Sequence, residues 1–552
     1  MVTDALAGLV EAALKASVAD GVLSSESFPE SVFERPKRPE HGDWATNIAL
    51  VVARGGVNPR AVAAALVERL PPSDLVERVE VAGPGFLNFH LSAKWLCDVV
   101  QRAADPASGF GRSSEGNGRH VNLEYVSANP TGPMNVVSGR HAAVGDALAG
   151  LLEATGHKVT REFLINDAGR QLDLFAQSVA TRYLQHFGAE AELPEDGYQG
   201  DYLIEVAEQI ATEIGDGLVH APSAERVETL RDLALQRMLD SMRSSLERFG
   251  SSFDVWFSER KMHDAGAVSA AIERLRKAGY IYEKDKALWF RSSQFGDDKD
   301  RVVVRSNDAT TYLTADIAYL IDKVGRGYDH LIYLWGADHH GTIPRMMAAT
   351  QALGLNKEQV EIRLIQNVSL LRKGVTVKAS KRAGEIVALD ELIEEVGPDG
   401  ARYTFLTRSM DAPLEFDIEL AKQEGPENPV YYVQYAHARI CSILKKAAEQ
   451  DIVVDAEKSV LEPLGHPSEE QLMRKLSSYE ETVPQAARAR APQRLTRYLE
   501  ELASSFSAFY RDCRVISEDR ALSQARLTLC FAAKRVIADG LSLIRVSAPE
   551  SM

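Results

Sequence analysis

The sequence predicts an α/β protein built on a parallel sheet, with a small α+β domain before it and an all-helical domain after it. Two stretches predict the parallel sheet, since 120–166 and 330–368 each read as strand, helix and strand. The third observation is a helical period that continues almost without interruption from about residue 395. At 552 residues the chain exceeds what one hydrophobic core normally supports, so several domains are expected.

Composition excludes several classes of protein. The formal net charge of −16 argues against a protein that coats nucleic acid non-specifically. It still allows nucleic acid to bind at a local basic surface, such as the one predicted at 486–497. The four cysteines lie far apart, which predicts reduced thiols and no structural zinc site. No apolar run is long enough to span a bilayer, and the N-terminus lacks the features of a signal peptide. We therefore expect a cytoplasmic protein with no metal site of its own.

The first predicted domain covers residues 1–110. Its opening helix carries Leu6, Leu9 and Val10 at helical spacing, and 78–92 alternates like two strands around Gly83-Pro84-Gly85. These patterns predict a small α+β domain. A linker rich in Gly and Ser follows at 105–120.

The second predicted domain covers 111–395. A strand at its start leads into the loop "SANPTGPMNVVS" and a long helix that stops at Gly156, and residues 330–335 form a second buried strand. Residues 170–310 are mostly helical and predict an insertion that splits the sheet. The remaining residues, 396–552, form the all-helical domain.

Polar clusters follow the predicted strands, where ligands bind in open parallel sheets. Glu124, Ser127 and Asn129 follow the first strand, 336–341 ("GADHHG") the later one, and 377–384 ("VKASKRAG") the next. Each cluster is a weak signal alone. Ser138 lacks the G-x-S-x-G context of a hydrolase, and the absence of G-x-G-x-x-G disfavours a dinucleotide oxidoreductase.

The order of these segments resembles arginyl-tRNA synthetases of the bacterial type, a class I family. The resemblance runs through "RPEHGDWATNIAL", "NLEYVSANPTGP", "REFLINDAGRQ", "YLTADIAY", "GADHHG" and "ENPVYYVQYAHARI". It implies a Rossmann-like catalytic domain, an N-terminal domain that contacts the tRNA corner and a C-terminal anticodon-binding domain. It also implies the substrates ATP with Mg²⁺, L-arginine and tRNA(Arg), and we expect a monomer.

The resemblance also implies roles for individual residues, in three groups. Positions that match arginine-binding residues are Glu124, Ser127, Asn129, Tyr312, Asp316 and His340. Positions that should flank ATP are Pro133, Val137, Gly336, Asp338 and His339. Positions that match the phosphate-handling residues are Asn135, Ser138, Lys378, Ser380 and Lys381. Carboxylates such as Asp316 suit a guanidinium, which is a planar fork of donors.

Two segments depart from the family pattern. The family signature His-x-Gly-His is replaced by Asn135-Val136-Val137-Ser138, and Ala379 stands where the family's lysine loop has methionine. Asn135 and Ser138 can donate hydrogen bonds but cannot become cationic, and one lost donor typically costs about 10²–10³ in rate. A β-branched Val137 occupies space that a glycine leaves open for adenine.

Two functions therefore stay open. One is a working arginine–tRNA ligase with a diverged nucleotide loop; the other is a paralogue with weakened or lost adenylation, acting in binding, regulation, inhibitor resistance or a specialised pathway. For tRNA binding, aromatic and cationic side chains on one helix of the last domain are the candidates, because they suit an unpaired anticodon loop. They are Tyr431, Gln434, Tyr435 and Arg439.

Overall fold

A computed structural model gives the fold of the chain. It describes residues 2–24, 27–36, 38–53, 57–377, 387–454 and 459–552. The elements form an N-terminal α+β unit, a central parallel sheet flanked by helices, and a C-terminal group of helices. The fold class predicted from the sequence is confirmed.

The N-terminal unit is an antiparallel sheet covered by helices. Its strand order is β1-β2-β4-β3, and its core contains Leu6, Val10, Leu87 and Phe89. The elements are α1 (Val2–Ala19), β1 (Phe33–Glu34), β2 (Trp44–Thr46), α2 (Ile48–Val52), α3 (Pro59–Glu68), β3 (Val76–Ala82), β4 (Phe86–Leu91) and α4 (Ala93–Ala104).

The central unit carries a five-stranded sheet with the order β12-β11-β5-β6-β7, in which every neighbouring pair is parallel. Its first half comprises β5 (His120–Glu124), α5 (Val136–Ala154), β6 (Lys158–Ile165), α6 (Arg170–His186), α7 (Tyr202–Ile214), α8 (Ser223–Arg248), β7 (Val255–Ser258), α9 (Glu259–Asp264), α10 (Ala267–Lys277), β8 (Ile281–Lys284), β9 (Ala287–Phe290) and β10 (Arg301–Val304).

The second half of the unit completes the sheet and adds a smaller one, ordered β14-β13-β15. Its elements are α11 (Tyr312–Gly325), β11 (His330–Gly336), α12 (Ile343–Ala352), β12 (Val360–Ile365), β13 (Val368–Arg372), β14 (Val375–Thr376), α13 (Leu389–Phe405), β15 (Leu414–Asp417) and α14 (Ile418–Ala421). The strand β7 lies within the range that the sequence assigned to the insertion, and α13 spans the predicted boundary at residue 395.

The last unit is helical, with α15 (Pro429–Ala448), α16 (Pro467–Ser477), α17 (Tyr479–Arg488), α18 (Gln493–Asp512) and α19 (Arg520–Leu543). It packs against α4, and the ion pairs Arg35–Glu481 and Arg474–Asp43 join it to the N-terminal unit. Within the ranges that the structure describes, no helix is long and apolar enough to cross a membrane.

The helix α5 lies at the centre of the fold and is held closely on several sides. A Cβ at Gly145 would lie 2.2 Å from a ring carbon of Tyr125, so only glycine permits this approach to β5. The buried Arg140 guanidinium donates to four main-chain carbonyls, among them those of Gln366 at 2.7 Å and Ser409 at 2.9 Å. These contacts fix the start of α5 relative to the sheet.

A buried ion pair joins α5 to α13. The Asp146 carboxylate accepts from the Arg402 guanidinium, from Tyr125 Oη at 2.7 Å and from Ser251 Oγ at 2.5 Å. Both side chains of the ion pair are at most 1% exposed. Removing one partner of such a pair leaves an uncompensated charge in the core.

We expect Arg402→Met to destabilise the protein by about 3–5 kcal/mol, because Asp146 would stay buried without its cation. Scanning calorimetry should show a lower midpoint for the unfolding transition of the central unit. The matched control is Arg494→Met, since Arg494 is exposed and an exposed substitution of this kind changes stability by about 0.5 kcal/mol or less. Equal midpoints for the two variants would contradict the structural role of Arg402.

Candidate active site and candidate tRNA surface

The parallel sheet gathers the ends of its strands at one edge. Glu124 lies beside Tyr333 in the register of β5 and β11, and Ile165 lies beside Ser258 in that of β6 and β7. The segments that follow these four strands therefore emerge together. The edge is the candidate active site.

Glu124 ends β5 and is already paired. Its Oε2 accepts from Lys323 Nζ at 2.6 Å, and the two side chains are 4% and 0% exposed. The ammonium also lies 4.4 Å from the ring centroid of Tyr319 and 4.0 Å from that of Tyr333. Burial lowers the pKa of Lys323, while Glu124 opposes that shift. The Glu124 charge is thus balanced inside the protein.

The turn after Glu124 is strained and positions Ser127. Ser127 N–H donates to Tyr125 O at 3.0 Å, which closes a three-residue turn around Val126 at a φ of 70°. A β-branched residue rarely adopts this conformation, and such strain concentrates at functional sites. Ser127 Oγ donates to Glu124 Oε1 at 3.1 Å and accepts from Leu164 N–H at 3.1 Å.

Asn129 is held by the elements that follow β6. Asn166 Nδ2 donates to Asn129 Oδ1 at 2.9 Å, and Asn129 Nδ2 donates to Gln171 Oε1 at 2.6 Å. Farther along the same loop, Tyr202 Oη donates to Thr131 O at 2.7 Å. The helices α6 and α7 therefore fix the loop that leads to Asn135.

Asp316 and Glu259 provide the unbalanced negative charge of the site. Asp316 lies on α11, is half-buried, and has no hydrogen bond or ion pair with another residue that the structure describes. Burial and the nearby charges of Glu124 and Glu259 raise its pKa and Arg345 lowers it, which together give a pKa of about 7. Glu259 starts α9, and burial raises its pKa as well, while His263 Nε2 lies 3.7 Å from its carboxylate and lowers it.

The sequence did not point to Glu259. It follows the short strand β7, which the predicted insertion obscured. The strand-like run "VWFS" directly before it was the available signal.

Besides Asn129, two of the residues matched to arginine binding are solvent-exposed. Tyr312 is 71% exposed and lies one helical turn before Asp316 on α11, so the two side chains share a face. His340 is exposed in the 3₁₀ helix Ala337–Thr342. No hydrogen bond joins either side chain to another residue within the described ranges. Their assignment stays a prediction.

Asn135 and Ser138 bind each other at the start of α5. Asn135 caps the helix, since its Oδ1 accepts from Ser138 N–H at 2.9 Å and from Ser138 Oγ at 3.2 Å. The cap occupies one of the amide groups that an anion at a helix N-terminus would use. Both side chains remain half-buried at the edge, as do Pro133 and Val137.

The segment after β11 lies across from α5. A Cβ at Gly336 would lie 2.5 Å from Asp338 Oδ1, so the carboxylate folds back over the glycine. Asp338 and His339 are both exposed, with 3.7 Å between Asp338 Oδ2 and His339 Nε2. Ala388 pairs with Asn135 across an isolated bridge on the other side.

Lys378, Ser380 and Lys381 lie outside the described residues. Among the residues with described positions, no three His, Cys, Asp or Glu side chains are grouped so that they could hold a metal ion.

The candidate tRNA surface lies on α15 and α18. The rings of Tyr431 and Tyr435 stack with 6.1 Å between centroids, and the Arg439 guanidinium lies 5.8 Å from the Tyr435 ring and 5.3 Å from that of Tyr510. Tyr435, Arg439 and Tyr510 are exposed. We call these four residues the Tyr–Arg surface; Tyr510 was not identified from the sequence.

Gln434 lies away from the Tyr–Arg surface. It is 8% exposed, and its Nε2 donates to Asp399 Oδ2 and to Ser547 O, each at 2.9 Å. The structure thus gives Gln434 the task of holding the C-terminal segment against α13. Its side chain is buried, whereas Tyr435 and Tyr510 are exposed.

Three family models match the chain in the order of its units. They are described as the arginyl tRNA synthetase N terminal domain, at residues 4–91, the class I tRNA synthetase (R) catalytic domain, at 107–403, and the DALR anticodon binding domain, at 433–552. The catalytic model alone covers more than half of the chain. The chain belongs to the arginyl-tRNA synthetase family.

Individual relatives agree with this assignment. The chain is 48% identical to an arginine–tRNA ligase of Moorella thermoacetica, over 99% of the chain and 98% of the relative. Among solved structures it is similar to a putative arginyl-tRNA synthetase of Campylobacter jejuni, with a TM-score of 0.76 and 35% identity over 84% of the chain and all of that protein. The arginyl-tRNA synthetase of Thermus thermophilus, at 24% identity, shares the fold with a TM-score of 0.77 over both full lengths.

Proposed function

We propose that this protein is an arginine–tRNA ligase, which activates L-arginine with ATP and transfers the arginyl group to tRNA(Arg). The observation that carries the proposal is the pair of half-buried carboxylates, Asp316 and Glu259, at the sheet edge of a chain from this family. Two carboxylates without a described Lys or Arg partner suit a guanidinium, which presents two forks of donors.

We propose that the amino acid spans this edge. Asp316 and Glu259 grip its guanidinium, and Tyr312 and His340 approach from the open side. Ser127 and Asn129 hold its other end, each already oriented by a neighbouring side chain. The role of Glu124 follows from its pairing with Lys323: it orients Ser127 and does not supply a free charge.

ATP is proposed to lie between the start of α5 and the 336–341 segment. Pro133, Val137 and Gly336 line its path, while Asp338, His339, Asn135 and Ser138 provide polar contacts. Mg²⁺ is proposed to arrive with ATP, whose phosphate oxygens are the ligands it prefers. Lys378, Ser380 and Lys381 are proposed to neutralise the phosphates as pyrophosphate leaves.

The paralogue alternative receives no support from the comparisons, since the relatives that match over nearly the whole chain are ligases. The altered loop bears on rate, because Asn135 and Ser138 satisfy each other and neither becomes cationic. We propose a monomer that works in the cytoplasm. The Tyr–Arg surface is proposed to contact the anticodon loop.

The affinity for arginine should rise with pH. Asp316 is protonated below its pKa of about 7 in the free protein, and a bound guanidinium requires the carboxylate, so binding must release that proton. The Kd for arginine should fall about tenfold between pH 6 and pH 8. Isothermal titration calorimetry in two buffers of different ionisation enthalpy would measure both the affinity and the proton release.

A variant of Asp316 and a matched control test whether this carboxylate causes the pH dependence of arginine binding. Asp316→Asn should raise the Kd for arginine about tenfold or more at pH 8 and flatten its pH dependence. Asp308→Asn, in an exposed turn with a φ of 61° that asparagine accepts, is the matched control. A Kd independent of pH in the unchanged protein would contradict the assignment of Asp316.

Restoring the family signature should speed adenylation. The triple change Asn135→His, Val137→Gly and Ser138→His should increase arginine-dependent ATP–pyrophosphate exchange, measured with tRNA(Arg) present, by about 10²-fold or more. The control Asn135→Ser keeps a capping side chain and adds no imidazole, so it should not produce this increase. Exchange that stays constant or falls in the triple variant would show that this loop does not limit the reaction.

The Tyr–Arg surface should govern tRNA affinity. Tyr435→Ala should weaken tRNA(Arg) binding by about 1–3 kcal/mol if one base stacks on the ring. Arg439→Ala should weaken binding and reduce the salt slope by about one phosphate contact. The control is Arg276→Ala, on α10, where the guanidinium already pairs with Glu273 at 2.6 Å. Unchanged affinity and salt slope in both variants would exclude this surface.

A further inference from the structure

His141 is a buried histidine for which the structure shows no structural task. It lies in α5 and is 6% exposed, yet neither of its ring nitrogens has a hydrogen-bond partner among the residues that the structure describes. Leu334 O lies near the ring and favours a proton on it, but without the geometry of a hydrogen bond. Buried polar groups are paired in the great majority of cases, and leaving one unpaired destabilises the folded protein.

His437, which is also buried and also lies on a helix, has the hydrogen-bond partner that His141 lacks. His437, on α15, is 2% exposed, and its Nδ1 lies 2.8 Å from Pro549 O, so it ties the C-terminal segment to the helical unit. His141 makes no such tie. A leucine would fill its place in the free protein at lower cost.

The position of His141 points to the nucleotide. It lies three residues after Ser138, or about 4.5 Å farther along the axis of α5 from its N-terminus. From the facing segment, Asp338 favours protonation of the ring and His339 opposes it, and Arg140 opposes it from its own helix. Asp338 and His339 are exposed, so a ligand can reach the segment whose charges act on the ring.

We propose that His141 is a nucleotide-contacting residue, whose imidazole forms a hydrogen bond with the nucleoside part of ATP when ATP separates α5 from Asp338 and His339. This inference rests on the proposed placement of ATP. With the nucleoside against Val137, His141 lies one helical turn farther along the same face of α5. Binding would then give the ring the partner that it lacks in the free protein.

The protonation state of the ring suits this contact. Burial lowers the pKa of His141 to about 4, with Arg140 and His339 acting in the same direction and Asp338 opposing them. At neutral pH the imidazole therefore carries one N–H donor and one acceptor nitrogen. A neutral ring of this kind can read a base edge or a ribose hydroxyl, whereas phosphates are bound better by cations.

The test compares His141→Leu with His437→Leu in the full chain. His141→Leu should raise the Kd for ATP about tenfold, measured by calorimetry, and leave the Kd for arginine unchanged. It should also raise the unfolding temperature of the free protein, because an unpaired polar ring is removed from the core. His437→Leu should lower the unfolding temperature and leave ATP affinity unchanged.

A second variant and a third distinguish the outcomes. His141→Asn retains a donor and an acceptor and should recover part of the ATP affinity. A lower unfolding temperature in His141→Leu with unchanged ATP affinity would show a structural role and overturn the inference. If Asn135→Asp, which adds a negative charge at the start of α5, also leaves ATP affinity unchanged, the proposed placement of ATP fails; if it weakens ATP, only the His141 inference fails.

Discussion

The buried contact between Lys323 and Glu124 is the constraint that arranges the active-site edge. Lys323 lies on α11, seven residues after Asp316, so both side chains project from one face of the helix. The ammonium of Lys323 is bound by Glu124 of β5 and lies between the rings of Tyr319 and Tyr333. A rotation or shift of α11 would therefore break a buried ion pair. Such a pair specifies an arrangement more than it stabilises the fold.

This arrangement also decides where charge is available. Glu124 is neutralised by Lys323, and the next carboxylate along the sheet, Glu162, accepts from Asn122, Tyr319 and Arg326. The strands therefore present balanced carboxylates, while the helices α9 and α11 present unbalanced ones. Among the described half-buried carboxylates of the edge, Glu259 and Asp316 are therefore the two without an ion pair to Lys or Arg.

The fold could be predicted from the sequence because its signals are local. The hydrophobic patterns that predict β5, α5 and β11 each lie within a short stretch of sequence. The resemblance to the synthetase family identified Asp316 and the altered loop as candidates. The partners of the site residues could not be predicted in the same way. Lys323 lies 199 positions from Glu124, and nothing in either segment specifies the other.

Burial was the second property that the sequence did not reveal. Gln434 and Tyr435 are adjacent in a helix whose pattern suits either face, but only packing against Ser547 shows that Gln434 is internal. Glu259 was hidden because four residues are a short signal for a strand. The sequence identified Asn135 and Ser138 only as replacements for two histidines, whereas the structure shows a helix cap that both of them build.

The ion pairs that join the N-terminal unit to the helical unit have a consequence for synthesis on the ribosome. Arg35 and Glu481 are separated by 446 positions, so the N-terminal unit emerges long before the helices that receive it. At about 5–20 residues per second, that interval lasts roughly 20–90 s. Its small sheet therefore has time to fold on the nascent chain, and the surface that docks on the helical unit has no partner until translation is nearly finished.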